Sequence, residues 1–287
     1  MRPVPRPLLV ILVLGAAARI WGFATAGPLW LDELFLDHNL ERLSFVELAG
    51  PLLDGQNAPV AWLWLEKALW LGFGASEFGL RLPALIASLA SLPLIAAVAG
   101  RALPTSFALF PVMLVTFSPF AIWQSFQLKP YAVDLGTALL LLWLGQRWVD
   151  SESDDGEGRR PWTLALVGGA SVWLSLPAIF VLAGVGAVLA LDAWRRPAQG
   201  RRFSTAAVGA LWLLSFGAHY FLFLRPRPQP EWLYGFWSSG LMAWPPDRWD
   251  VFWLPRVLIQ SLADPAGFAA LAPVAAVLVV AGFATAA

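Results

Sequence analysis

The chain has 287 residues, of which 59% are hydrophobic and 13% charged; a typical soluble domain is about 25% charged, so a single water-soluble core of this length is excluded and a polytopic membrane protein is expected. Its 19 basic and 19 acidic residues cancel, which argues against nucleic acid as a partner. With no cysteine and only His38 and His219, disulfides, thiolate chemistry and a multi-histidine metal site are excluded as well.

The first predicted element is a membrane span over residues 7–23, close to the roughly 20 apolar residues a bilayer requires. Arg2 and Arg6 before it and Ala24-Thr25-Ala26 after it also suit a cleaved signal peptide, a reading that Arg19, late in the run, weakens. Leu29-Trp30-Leu31-Asp32-Glu33-Leu34-Phe35 follows. Two adjacent carboxylates so close to hydrocarbon are unfavourable unless they face a polar cavity or the aqueous edge, which makes Asp32 and Glu33 the first candidates for chemistry. If residues 31–42 are helical, Glu33, Asp37 and Glu41 share one face and Asp32 points elsewhere. The bland alternative is that Asp32 caps that helix at its N-terminus.

Gln56-Asn57-Ala58-Pro59 then leads into an apolar stretch, 58–74, with Glu66 and Lys67 in its middle and tryptophans at 62, 64 and 70. A spanning helix would have to hide both charges, so this stretch is expected to lie on the outer membrane face with the charges turned to water. Gln56 and Asn57 beside aromatic rings suit sugar hydroxyls, although interfacial anchoring accounts for the tryptophans. Glu77 and Arg81, four apart at the head of a span over 80–100, read first as a helix-end ion pair and second as a phosphate contact.

Further spans are expected at 103–118, 131–149, 162–176, 177–194, 204–224 and 266–287, with Pro177 separating two helices of a hairpin because it removes a backbone donor. Between the first two of these, Ser118-Pro119 breaks the helix, and Lys129-Pro130-Tyr131 opens the next span with Asp134 one turn inside it. An ammonium at that interface can pair with a phosphate or snorkel to headgroups; Asp134 is expected to have Lys129 or Arg81 as its partner. The loop at 151–160 reads as a solvated connector. Arg225-Pro226-Arg227-Pro228 begins a loop rich in aromatic residues, where Arg225 suits either an anionic lipid or plain anchoring.

Arg2 and Arg6 at the start, and Arg195, Arg196, Arg201 and Arg202 in one short loop, are placed in the cytoplasm by the positive-inside rule. Six predicted spans separate them, an even number as the rule requires. The fold class expected is therefore all-α: one polytopic transmembrane bundle over 1–287, with a first external loop at 24–79 carrying interfacial helices and a second large external loop at 225–256.

Taken in order, these pieces resemble the membrane glycosyltransferases of the GT-C fold, in particular the bacterial family 39-like proteins. The resemblance rests on Asp32-Glu33, Asn57-Ala58-Pro59, the phrase from Phe73 through Glu77 and Arg81 to Pro83, Ser118-Pro119, and Lys129-Pro130-Tyr131-Ala132. It implies transfer of a sugar from a polyprenyl-phosphate carrier to an acceptor on the external face of a bacterial inner membrane, with membrane lipids as surroundings and the acceptor unspecified. Asp32 would be the catalytic carboxylate and Glu33 its support. Lys129 and Arg81 would hold the carrier phosphate and Asp134 would help organise the site, while Arg225, Asn57, Gln56 and Tyr131 join the substrate-binding candidates from their own positions in the sequence. The resemblance leaves a divalent metal cofactor open. The second proline of the family's common Pro-Pro pair is missing, with Ala58 before Pro59, and the chain is shorter than the family's usual length, as a fragment would be. The alternative is a non-catalytic lipid-linked-sugar binder or flippase-like transporter, for which two related halves with paired broken helices would be expected; no such repeat is visible.

Overall fold

The computed structural model describes residues 6–150, 161–196, 199–227, 235–236, 238–242, 245–248, 250–264 and 267–286, so the connector at 151–160 lies outside the described residues. Among the described residues all regular structure is helical. The chain runs through α1 (Arg6–Ala24), α2 (Leu31–Arg42), α3 (Val60–Phe73), α4 (Glu77–Ala102), α5 (Thr105–Phe117) and α6 (Pro119–Gln124). There follow α7 (Tyr131–Asp150), α8 (Pro161–Leu174), α9 (Ala178–Arg195) and α10 (Gln199–His219), which continues as a π-helical turn, Tyr220–Leu224. The last two helices are α11 (Trp253–Ala263) and α12 (Ala272–Ala286).

Arg6–Ala24, Glu77–Ala102, Ala178–Arg195 and Gly200–Leu224 are long and apolar enough to cross a membrane, and together with the shorter apolar helices they make this a multi-pass α-helical membrane bundle. The helix over Tyr131–Asp150 is as long, but Asp134, Gln146 and Arg147 dilute its hydropathy. Its position explains the tolerance, because α7 packs against α4, α8 and α9 instead of facing lipid on all sides. At Gly136 a Cβ would stand 3.2 Å from the carbonyl oxygen of Ala87, so glycine permits the close approach of α7 to α4. A second seam forms around Trp212, whose indole lies over Gly168 and donates to the carbonyls of Leu164 and Ala165 at 3.3 and 3.2 Å.

Helix boundaries follow local chemistry. Gly74, at φ 69°, closes α3, and the Ser76 hydroxyl accepts the Gly79 N–H to cap α4. Ser118 caps α6 through the Ala121 N–H, with Pro119 in the first helical position. Pro177 separates α8 from α9 as expected. Arg19, the charge that disfavours a signal peptide, is fully buried and donates to Ser88 Oγ at 2.8 Å and to the carbonyls of Gly15, Val115 and Thr116 at 3.0, 3.0 and 2.8 Å. It thereby satisfies carbonyls that α5 exposes where it ends.

Two expectations need correction. Glu66 and Lys67 are 1% and 7% exposed and do not turn to water, because α3 buries that face against its neighbours in the first loop and bundle. Lys67 donates to the Leu40 carbonyl at 2.5 Å and lies 4.9 Å from the Trp70 ring centre, while burial holds the Glu66 carboxyl well above its ordinary value. The span expected over 103–118 is only 13 residues of helix in α5, with α6 as a separate short turn beyond Ser118. Towards the end of the chain, α11 at Trp253–Ala263 packs on α12, which lies within the span expected over 266–287.

Candidate active site at one end of the bundle

The junctions α1–α2, α6–α7 and α8–α9 and the end of α10 meet at one end of the bundle, while Arg101 with Asp150 and Arg201 with Asp192 mark the other. The site begins with α2. Trp30 is extended before the helix, and its backbone N–H donates to Glu33 Oε2 at 3.2 Å, so the capping carboxylate is Glu33. Glu33 is fully buried. It accepts from Arg81 Nη2 at 3.0 Å and Nε at 3.3 Å and from the Leu128 N–H at 2.6 Å. Arg81 uses its third donor on the Gly27 carbonyl at 2.8 Å, with Glu77 a more distant neighbour at 3.9 Å. One carboxylate thus fastens α2, α4 and the segment before α7 together, with the forked geometry of an arginine–carboxylate pair.

Successive helical residues point about 100° apart, so anchoring Glu33 inward aims Asp32 outward. Its side chain is 38% exposed, and Oδ2 lies 2.6 Å from Lys129 Nζ. Lys129 is placed by the turn that Glu33 holds at Leu128, and by Gln127, whose Oε1 accepts the Trp30 indole N–H at 2.6 Å. Gln56 bridges the pair: its Oε1 accepts from Lys129 at 3.2 Å and its Nε2 donates to Asp32 Oδ1 at 3.4 Å. Burial pulls the Lys129 ammonium below its ordinary value, opposed by hydrogen bonding and attraction to Asp32.

Asp134 takes neither of the cations expected for it. Lys129 turns to Asp32 and Arg81 to Glu33, leaving Asp134 Oδ1 buried without a hydrogen-bond partner and Ser175 as the polar side chain beside it. The Tyr131 side chain, half exposed, stands in the field of both Asp32 and Asp134. Beside these groups opens a cavity of about 470 Å³ walled by Leu176, Ile179, Phe180, Phe216 and Tyr220, with Asn57, His219, Arg225 and Arg227 supplying its polar edge.

The sequence-derived candidates therefore fall into two groups. Asp32, Lys129 and Gln56 touch one another, with Tyr131 close by, and Asn57 and Arg225 line the adjoining cavity. Glu33 and Arg81 lie behind Asp32 as a buried pair. Arg227 and His219 were missed. Arg227 is 6% exposed and donates to Asn57 Oδ1 at 2.8 Å, and His219 packs on Trp173 with ring centres 5.1 Å apart. Spacing in Arg225-Pro226-Arg227 gives no sign of which arginine is buried.

The donor set does not fit a resident divalent cation. Asp32 already faces an ammonium, both oxygens of Glu33 accept hydrogen bonds, and no group of three acidic or histidine side chains gathers among the described residues.

A family model described as dolichyl-phosphate-mannose-protein mannosyltransferase matches residues 57–219. That stretch contains Asn57, Arg81, Lys129, Tyr131 and Asp134; Asp32, Glu33 and Gln56 precede it. No curated protein and no solved structure matches.

Proposed function

The chain belongs to the dolichyl-phosphate-mannose-protein mannosyltransferase family of membrane glycosyltransferases, and from that premise we propose that it moves a sugar from a polyprenyl-phosphate carrier to an acceptor hydroxyl at the external face of a bacterial inner membrane. The reaction is a direct displacement at the anomeric carbon. The acceptor oxygen forms a bond to that carbon as the bond to the carrier phosphate oxygen breaks, and the acceptor proton passes to Asp32.

The observation that carries this reading is the contact between Asp32 and Lys129, 2.6 Å apart and bridged by Gln56, whose chain neighbour Asn57 lines an amphipathic cavity. Asp32 is the accessible carboxylate, suited to general base catalysis because one edge meets solvent and the other a cation. Lys129 pairs with Asp32 and offers positive charge to the departing phosphate. A phosphate leaving group needs little acid assistance, so one base and a cation suffice. The aromatic and aliphatic wall from Leu176 to Tyr220 suits the carrier's isoprenoid chain, with Arg225 at its polar edge for the phosphate. Arg81, engaged with Glu33, acts from behind by holding the α2 N-terminus in place.

The test is Asp32→Asn in folded protein, assayed for transfer of labelled sugar from polyprenyl-phosphate donor into membrane acceptors. Loss of a general base lowers the rate by about 10²–10⁴-fold; near-normal transfer would remove Asp32 from that role.

A further inference from the structure

One side chain from the second half of the chain reaches into the first loop and grips it by hydrogen bonds. Arg227 donates from Nε to the Gly50 carbonyl at 3.1 Å, from Nη1 to Asn57 Oδ1 and the Ala58 carbonyl at 2.8 Å each, and from Nη2 to the Leu48 carbonyl at 3.3 Å. All four partners are neutral oxygens. A buried guanidinium without a carboxylate is an unfavourable way to build a loop contact, and calls for a reason beyond packing.

The reason lies in what the gripped segment holds. Between the two ends of this segment sits Gln56, whose amide bridges Asp32 and Lys129. On its N-terminal side the chain makes a sharp left-handed turn, with Asp54 at φ 56° and Gly55 at φ 65°. That turn is tied to α2, the helix that carries Asp32: the Leu53 N–H donates to Asn39 Oδ1 at 2.8 Å, and His38 Nδ1 lies 2.8 Å from Asp54 Oδ2. On the C-terminal side, Arg227 holds Asn57 and Ala58. Gln56 is suspended between a clamp from the first half of the chain and one from the second.

We propose that Arg227 is a positioning residue for the transfer reaction: by fixing Asn57 and Ala58 it holds the Gln56 amide, and through Gln56 the relative placement of Asp32 and Lys129. The inference rests on Asp32 being the base. Arg227 touches neither Asp32 nor Lys129, so its effect on that pair passes through Gln56. Removing either residue should release the same constraint, and removing both should add little.

The experiment is a double-mutant cycle on the full chain in lipid nanodiscs, with labelled polyprenyl-phosphate mannose as donor probe and native membranes as acceptor source. Q56A and R227Q are each expected to lower kcat about tenfold with little change in KM for the donor, within the range a misplaced catalytic group produces. The double variant should lose about tenfold as well, where independent effects would multiply to about a hundredfold. R227K, keeping the charge without the fork, should recover part of the loss and replaces R227Q in the cycle if R227Q does not accumulate folded. Multiplying losses, or normal kcat per folded molecule in R227Q, would overturn the assignment. D32N in the same assay separates the two claims: an active D32N removes the base and the Arg227 role with it, whereas an inactive D32N with multiplying losses removes Arg227 alone.

Discussion

Glu33 and Arg81 form a buried ion pair, 0% and 4% exposed with Nη2 3.0 Å from Oε2, directly behind the accessible pair of Asp32 and Lys129. Adjacent carboxylates on one helix thus serve opposite ends: one holds the scaffold and the other, partly exposed, meets Lys129. Because Glu33 also accepts the Leu128 N–H, the inner pair sets where Lys129 stands relative to Asp32.

Glu33→Gln is therefore expected to act differently from Asp32→Asn. Breaking a buried pair leaves Arg81 uncompensated and costs about 3–5 kcal/mol of stability. Thermal unfolding in detergent should show that loss in Glu33→Gln, while Asp32→Asn, at a partly exposed position, should unfold within a few degrees of the native chain. Equal melting temperatures for native chain and Glu33→Gln would contradict the structural role given to Glu33.

Lys129 makes the reaction sensitive to alkali. Burial lowers its proton affinity below the ordinary lysine value of 10.5, so as pH rises the ammonium is lost earlier than in an exposed lysine, and with it the positive charge for the leaving phosphate. The kcat/KM profile should fall on its alkaline side below pH 10.5, and Lys129→Arg, which stays charged, should move that fall upward. An alkaline limb unchanged in Lys129→Arg would assign the titration to another group.

Glu66 gives a pH-dependent stability effect away from the site. Its carboxyl is raised well above 4.5 by burial. The folded state therefore holds a proton that the unfolded state releases, so stability is fully present below pH 4.5 and declines as pH rises towards the folded value, by about 1.4 kcal/mol per pH unit. Glu66→Gln, neutral in both states, should melt higher than the native chain at pH 8 and no higher at pH 4. A difference independent of pH would contradict a neutral Glu66.

Chelation supplies a separate check. With Asp32 facing Lys129 and Glu33 saturated by donors, transfer is expected to proceed at an unchanged rate in excess EDTA. A loss restored by magnesium or manganese would show that the carboxylates recruit an ion during turnover.

The parts legible in the sequence are those where a residue type conflicts with its surroundings. Asp32 stood out because carboxylates rarely follow a span without cause, and Lys129 because it heads a span after a proline-broken turn. The α8–α9 division followed from Pro177 alone, since a missing backbone donor acts locally. What depends on packing was hidden. Hydropathy turns Glu66 and Lys67 to water, and only the covering of α3 by neighbouring helices buries them. Asp134 was assigned a cation that the tertiary fold directs to nearer carboxylates. Arg225 and Arg227 share composition and proline neighbours, and only a contact with residues 48–58, far away in the chain, tells them apart.

The most direct measurement is a structure of the chain in lipid with a polyprenyl phosphate bound. The phosphate should lie within hydrogen-bonding reach of Lys129 Nζ, about 3 Å, beside Asp32, with the isoprenoid chain against Phe180 and Phe216. A phosphate held instead at the opposite end of the bundle, near Arg101 and Asp150, would contradict the placement of the chemistry on Asp32.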